Sequence, residues 1–185
     1  MADQEVRQLL DRQAIHDVLM RYARGVDRWD FDMVRNCYHP GATDDHGGFS
    51  GTVEDFIPWV QGQLERFEST MHFLGNVLIE FDDESVVGDE TPVAWAETYC
   101  VAYHRLRKDE ARGAGDADSI AGLRYVDRFE RRDLGQGPEW RIAHRQIVVE
   151  WNRLDSVKAL GFGPEYITGK RDDTDPVWRR GQDEN

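Results

Sequence analysis

The sequence predicts an α+β domain, a cone-shaped, strongly curved antiparallel sheet whose concave face is covered by about three N-terminal helices. Three observations carry this. Helical periodicity is confined to the first 68 residues, four long strand-like runs fill residues 71 to 154, and the strand runs are separated by acidic or glycine-rich turn signals. At 185 residues the chain has the length of one compact core. The expected division is one domain over 1–154 and a C-terminal extension over 155–185, rich in Gly, Pro and charge.

The elements follow in order. From Asp3 to Val26, apolar residues recur at helical spacing through Val6, Leu9, Leu10, Ile15, Val18, Leu19, Tyr22 and Val26, a long helix packed on one side. "DRWDFDMVRNCY" (27–38) reads as a second, short helix with Asp30 as its N-cap, ended by Pro40 and Gly41. "ATDDHGGFSG" (42–51) reads as a short strand and turn, and "TVEDFIPWVQGQLERFE" (52–68) as a third helix opened by Thr52, with Pro58 near its early turns. Strands are expected over 71–81, 92–107, 119–133 and 139–154, joined by turns at "DDESVVGDE", "KDEARGAGDAD" and "LGQGP".

Bulk properties exclude several classes. A formal net charge of −13 opposes binding to phosphate backbones, and the basic cluster "RFERR" (128–132) reads as a solvated strand end. Cys37 and Cys100 form neither a disulfide framework nor a cysteine zinc site, so a reducing compartment is expected. The charged N-terminus is unlike a signal peptide, and no apolar run reaches membrane-spanning length. A cytoplasmic protein is expected, with no nucleic-acid or membrane partner. Six Trp, six Tyr and eight Phe are available to line a pocket as well as fill a core.

Few residues carry chemistry. His72 is the first titratable side chain of "MHFLGNVLIEF" and reads either as a packed core residue or as a base working near neutral pH. Asp27 follows the long helix at the rim of its apolar face. It is either a solvated carboxylate or, if the helix end meets this strand, the group that fixes the histidine's tautomer. Strand alternation puts Arg145, Ile147, Val149 and Trp151 on one face, so Arg145 is at a sheet end or is buried with an anionic partner. Asp44 and His46 share a face of "TDDHG" and either reach a pocket or join a metal site. No metal-ligand spacing, Gly-rich phosphate loop or nucleophile elbow supports a cofactor or a bound metal. His104 reads as a surface residue beside Arg105, and His16 and His39 as structural.

The layout resembles the nuclear transport factor 2-like (cystatin-like) superfamily and, within it, the SnoaL-like group, over about residues 5–153. That group includes scytalone dehydratase, bile-acid dehydratases and hexachlorocyclohexane dehydrochlorinase. "AIHDVLMRYARGVDRWDFDMV" resembles its first two helices, "STMHFLGN" its histidine strand, and "RYVDRFERRD" with "EWRIAHR" its last hairpin. The resemblance implies an Asp27–His72 dyad in a mostly apolar cone, with Arg145 and Tyr22 as further catalytic residues. It also implies substrate contacts from Asp44, His46 and His104, and aromatic residues, Trp151 and Tyr125 among them, are expected to supply binding area. It points to a cofactor-independent lyase of the dehydratase type acting on a small hydrophobic, aromatic or polycyclic substrate, and to a homo-dimer or homo-trimer. Formaldehyde-releasing C–C cleavage and double-bond isomerisation use the same base. Outside that class, the same fold serves as a non-catalytic binding subunit or oxygenase small subunit, and a metal-dependent variant would use Asp44, His46 and His72.

Overall fold

The computed structural model describes residues 2–82, 91–107, 117–158 and 161–180. Within them the elements run α1 (Ala2–Arg28), α2 (Phe31–Asn36), β1 (Tyr38–Asp45), β2 (Ser50–Thr52), α3 (Val53–Leu64), β3 (Phe67–Phe81), β4 (Val93–Leu106), β5 (Ala117–Asp133) and β6 (Pro138–Ser156). All but the first residue of the turn expected at 82–90, and most of that at 108–118, lie outside the described residues.

The strands form one curved, open sheet in the order β2-β1-β6-β5-β4-β3. The long meander from β3 to β6 is antiparallel, as expected. The sheet as a whole is mixed, because β1 runs parallel to β6, with Asp44 opposite Arg145. That pairing joins residues a hundred apart, and local pattern does not encode its direction.

Helix α1 lies across one face of the sheet, against β3 and β6. Ile15, Val18, Leu19, Tyr22 and Val26 are buried there with Phe56 and Val60 of α3. Val6, Leu9 and Leu10 belong to the same helical stripe but are more than half exposed, because the first turns of α1 run past the core. On the other face of the sheet Phe73, Trp95, Tyr99 and Trp151 are exposed. No described helix is long and apolar enough to cross a membrane.

The junction of α1 and α2 sets the position of the site. Trp29 takes a left-handed conformation (φ 60°) just past α1, and the Asp30 N–H donates back to the Gly25 carbonyl at 2.9 Å, the 6→1 bond that closes a helix. Asp30 then caps α2, accepting from the Met33 N–H at 2.8 Å. Gly25 allows the two helices to touch, since a Cβ there would sit 2.8 Å from Val34 Cγ2. Asp27 is thereby fixed in the last turn of α1, facing the start of β3.

Candidate active site

Asp27 is only 7% exposed and accepts three hydrogen bonds from β3. The His72 N–H reaches Oδ2 at 2.9 Å, while the Thr70 hydroxyl and His72 Nδ1 reach Oδ1 at 2.9 and 2.8 Å. Burial by itself would raise the Asp27 pKa. The ring and backbone bonds from His72, its charge, and the Thr70 hydroxyl outweigh burial and hold the carboxyl below its usual range. An ionised carboxylate can only accept, so Nδ1 carries the proton and Nε2 is left with its lone pair.

Period-two alternation along β3 turns Thr70, His72 and Leu74 toward the helices and Met71 and Phe73 away. His72 lines a cavity of about 240 Å³ shared with Tyr22, His46, Trp59, Phe67 and His104. The His104 ring meets the His72 ring edge-on at 5.3 Å and packs against Phe67 at 4.6 Å. Burial, followed by the neighbouring His72 charge, lowers the His104 pKa to about 4, so His104 is neutral at pH 7.

A second Asp–His pair comes from β1 and the residue after it. Asp44, 1% exposed, accepts from His46 Nδ1 at 3.0 Å and from the Tyr38 hydroxyl at 2.6 Å. The His46 ring rests on Phe56 and Trp59 of α3 and lines the cavity. Behind it, fully buried Arg145 donates to both oxygens of Asp127 at 2.7 Å. Its guanidinium lies 4.0 Å from the Tyr22 ring centre and 4.2 Å from that of Tyr125. Burial works against the charge on Arg145, and the Asp127 charge and hydrogen bonds together with the neighbouring Tyr38 and Tyr22 outweigh it, keeping the side chain cationic. Burial also raises the Tyr22 pKa well above its ordinary value, so the phenol is neutral and able to donate.

The structure therefore brings His72, Tyr22, His46, His104 and Tyr125 together around one space, with Asp27 bonded to His72 from behind. Asp44 and Arg145 stand one layer behind it, each held by a buried partner. Trp151 does not share the face of Arg145. The β5–β6 register shifts so that Gly122 pairs with Trp151 and Leu123 with Val149, leaving Glu150 as a bulge that turns Trp151 to the outer face. There its indole covers Gly122, where a Cβ would lie 2.3 Å from the ring. His104, expected at the surface from its neighbours alone, is inward-facing. Among the described residues no three His, Cys, Asp or Glu form a metal-holding group, so Asp44, His46 and His72 do not converge on one ion.

Two polar members were not read from the sequence. Asp127 lies between Tyr125 and Phe129 at period two, a charged residue on an apolar strand face, and that pattern was the available signal. Thr70 had none beyond its place two residues before His72. A wider groove of about 990 Å³ between α1, α2 and β6, with Asp17, Arg21 and Arg141 on its walls, contains no histidine.

A family model described as SnoaL-like domain matches residues 7–146. A Novosphingobium aromaticivorans protein provisionally described as a scytalone dehydratase superposes with a TM-score of 0.66 at 20% identity, covering 86% of this chain and 95% of that one. A type 2 hexachlorocyclohexane dehydrochlorinase (LinA) gives 0.67 at 16% identity, with 88% and 99% covered. A second protein of the same Novosphingobium species, provisionally described as an aromatic ring hydroxylase, gives 0.62 at 18%, with 80% and 94% covered. No curated protein matches the sequence. At these identities the structural neighbours share the fold, and the fold by itself does not set the activity.

Proposed function

The chain belongs to the SnoaL-like domain family of the nuclear transport factor 2-like superfamily, and from that premise we propose that it is a cofactor-independent lyase. The observation that carries this reading is the 2.8 Å Asp27–His72 bond at the wall of an aromatic-lined cavity. Neighbours described as a dehydratase and a dehydrochlorinase support the reaction class.

In this reading Asp27 holds the Nδ1–H tautomer and His72 Nε2 takes a proton from a carbon next to an activating group. The C–H electron pair becomes the new double bond, the C–O bond breaks, and the departing oxygen takes the proton now held by His72 Nε2, so that water leaves and His72 is neutral again. A positioned base of this kind contributes about 10²–10⁴-fold. Arg145 has no cavity wall of its own, so it acts through the tyrosines. Its charge polarises Tyr22, whose neutral phenol is then the better donor to developing negative charge. His46, oriented by Asp44, faces the substrate along with His104. A cavity of about 240 Å³ lies just below the ~300 Å³ where ligand clefts begin, which favours a one-ring aromatic substrate over a polycyclic one.

The chain is expected to self-associate through the outer sheet face, where Phe73, Trp95, Tyr99 and Trp151 are exposed. The test of function is turnover of one-ring hydroxylated compounds bearing an activated C–H, with water loss and formaldehyde release scored separately. Elimination by wild type that falls at least ~10²-fold in His72→Ala and Asp27→Asn supports the reading. Full turnover in both variants would sink it.

A further inference from the structure

The family match ends at residue 146, yet the chain sends a side chain back to the dyad from beyond that point. Arg171 donates from Nη1 to the Phe67 carbonyl at 2.7 Å and from Nη2 to Thr70 Oγ1 at 3.2 Å. Its guanidinium lies 5.1 Å from the ring centre of Trp29. The segment around it is tied to the end of α1. Arg28 approaches Asp175 at 3.7 Å and donates to the Lys170 carbonyl at 3.5 Å, and Arg24 lies over Trp178 at 4.9 Å. Asp175 in turn accepts from the Lys170 and Val177 N–H groups, closing the segment on itself. The left-handed Trp29, costly for a bulky residue, places its indole under Arg171.

We infer that Arg171 is a positioning residue for the Asp27–His72 pair, acting through Thr70; the inference rests on the dyad reading above. Hydrogen-bond direction decides the arrangement. A guanidinium has donors only, and a threonine hydroxyl has one proton. With Arg171 donating to the Thr70 oxygen, the single Thr70 proton points to Asp27 Oδ1, where the 2.9 Å bond lies. Asp27 then holds three donors in fixed directions and His72 has one tautomer, with Nε2 bare. The same cation adds a through-space effect. The charged or titratable groups around His72 are Asp27 from α1, His104 from β4 and Arg171 from the extension; Tyr22, His46, Arg66 and Tyr125 share its cavity, and Arg24 and Arg28 line the shallow groove behind it. Burial lowers the Arg171 pKa to about 10 and the Asp27 charge counters it, so Arg171 is charged at neutral pH. An extension outside the family match thus sets the proton arrangement of the family's dyad.

The test is a pH titration of the His72 ring by ¹⁵N-detected NMR in the full-length chain, comparing wild type with Arg171→Met, Arg171→Lys, Thr70→Val and Asp27→Asn. Loss of the cation and of the Thr70 bond both strengthen the pull of Asp27 on a protonated ring. Arg171→Met and Thr70→Val should each raise the His72 midpoint by about 0.5–1 unit. Arg171→Lys should return it to within about 0.3 unit of wild type. Arg171→Met should shift it less in a Thr70→Val background, because part of its route is already cut. Wild-type values in Arg171→Met alongside an altered Asp27→Asn would overturn the inference and leave the dyad standing. Unchanged values in Asp27→Asn would overturn the dyad reading itself. If Arg171→Met fails to fold, Thr70→Val decides, since the Arg24 and Arg28 anchors of the extension remain; no shift there overturns the inference.

Discussion

Asp127 and Arg145 face each other across β5 and β6 as a directly opposed pair, joined by two 2.7 Å hydrogen bonds and fully closed to solvent. The parallel pairing of β1 adds Asp44 on the other side of Arg145. The cation is thus framed by two carboxylates in the strands and two tyrosine rings above it. Asp127→Asn removes the hydrogen-bonded counter-charge of a buried guanidinium and is expected to cost about 3–5 kcal/mol. Replacing both residues by apolar ones of similar volume should recover much of that loss. Urea unfolding of the single and double variants checks this, and a single variant as stable as wild type would contradict it.

Two histidines make the fold sensitive to acid. His39 is fully buried, its Nε2 donating to the Glu130 carbonyl at 2.8 Å, and burial lowers its pKa to about 4, as it does for His104. For a base held neutral in the fold, the unfolded chain takes up the proton first. Stability is therefore unaffected above about pH 6.5, falls as pH drops toward 4, and levels off below that. The slope is at most about 1.4 kcal/mol per pH unit for each histidine. Asp27 adds a loss of the carboxylate kind. Its pKa is depressed, so its contribution is complete above the ordinary carboxylate range and disappears as pH falls through the lower folded value. Denaturant midpoints at pH 7.5, 6 and 5 should decline in that order, and a flat profile would contradict the burial of these rings.

Gly25 is expected to be intolerant of even one methyl group. A Cβ would lie 2.8 Å from Val34 Cγ2 and 3.0 Å from the Asp30 carbonyl, pressing on both the α1–α2 contact and the turn that aims Asp27. Gly25→Ala should destabilise by about 1–3 kcal/mol, more than its gain in helix propensity offsets. It should also reduce turnover beyond what the unfolded fraction explains. Thermal melting paired with activity per folded molecule separates the two effects.

The outer face gives a prediction about assembly. Tyr99→Glu and Trp151→Glu place charge in an exposed apolar patch away from the dyad and should leave the His72 environment intact while lowering the oligomer mass. Light scattering on eluted protein reads this directly. A wild-type monomer at high micromolar concentration would rule the interface out.

How much of this was legible in the sequence depends on the range of the signal. The stripe of α1, the Asp30 cap and the spans of β3 to β6 are local patterns, and they appear within a few residues of where periodicity and turn chemistry put them. Asp27 and His72 were legible as a pair only through resemblance, because helix periodicity alone left Asp27 at the rim. The parallel β1–β6 pairing is a long-range event with no local mark. Trp151 was misplaced because alternation assumes an unbroken period of two, and the bulge at Glu150 in "IVVEWN" has no Gly or Pro to announce it. Asp127 was legible and passed over, since a carboxylate between Tyr125 and Phe129 calls for a buried cation, and Arg145 supplies it. The return of Arg171 to Thr70 spans a hundred residues, and charge in the extension gave no direction.

In the proposed reading Asp27 makes His72 a base facing a ligand cavity. The most direct measurement is the ring titration of His72 in wild type and Asp27→Asn, alone and with phenol or 4-hydroxyacetophenone added. Removing the carboxylate should lower the midpoint by about a unit or more, and the ring signals of the wild type should move when the aromatic probe is added. A His72 that keeps its midpoint in Asp27→Asn and ignores both probes would be a packed core residue, and the lyase reading would be contradicted.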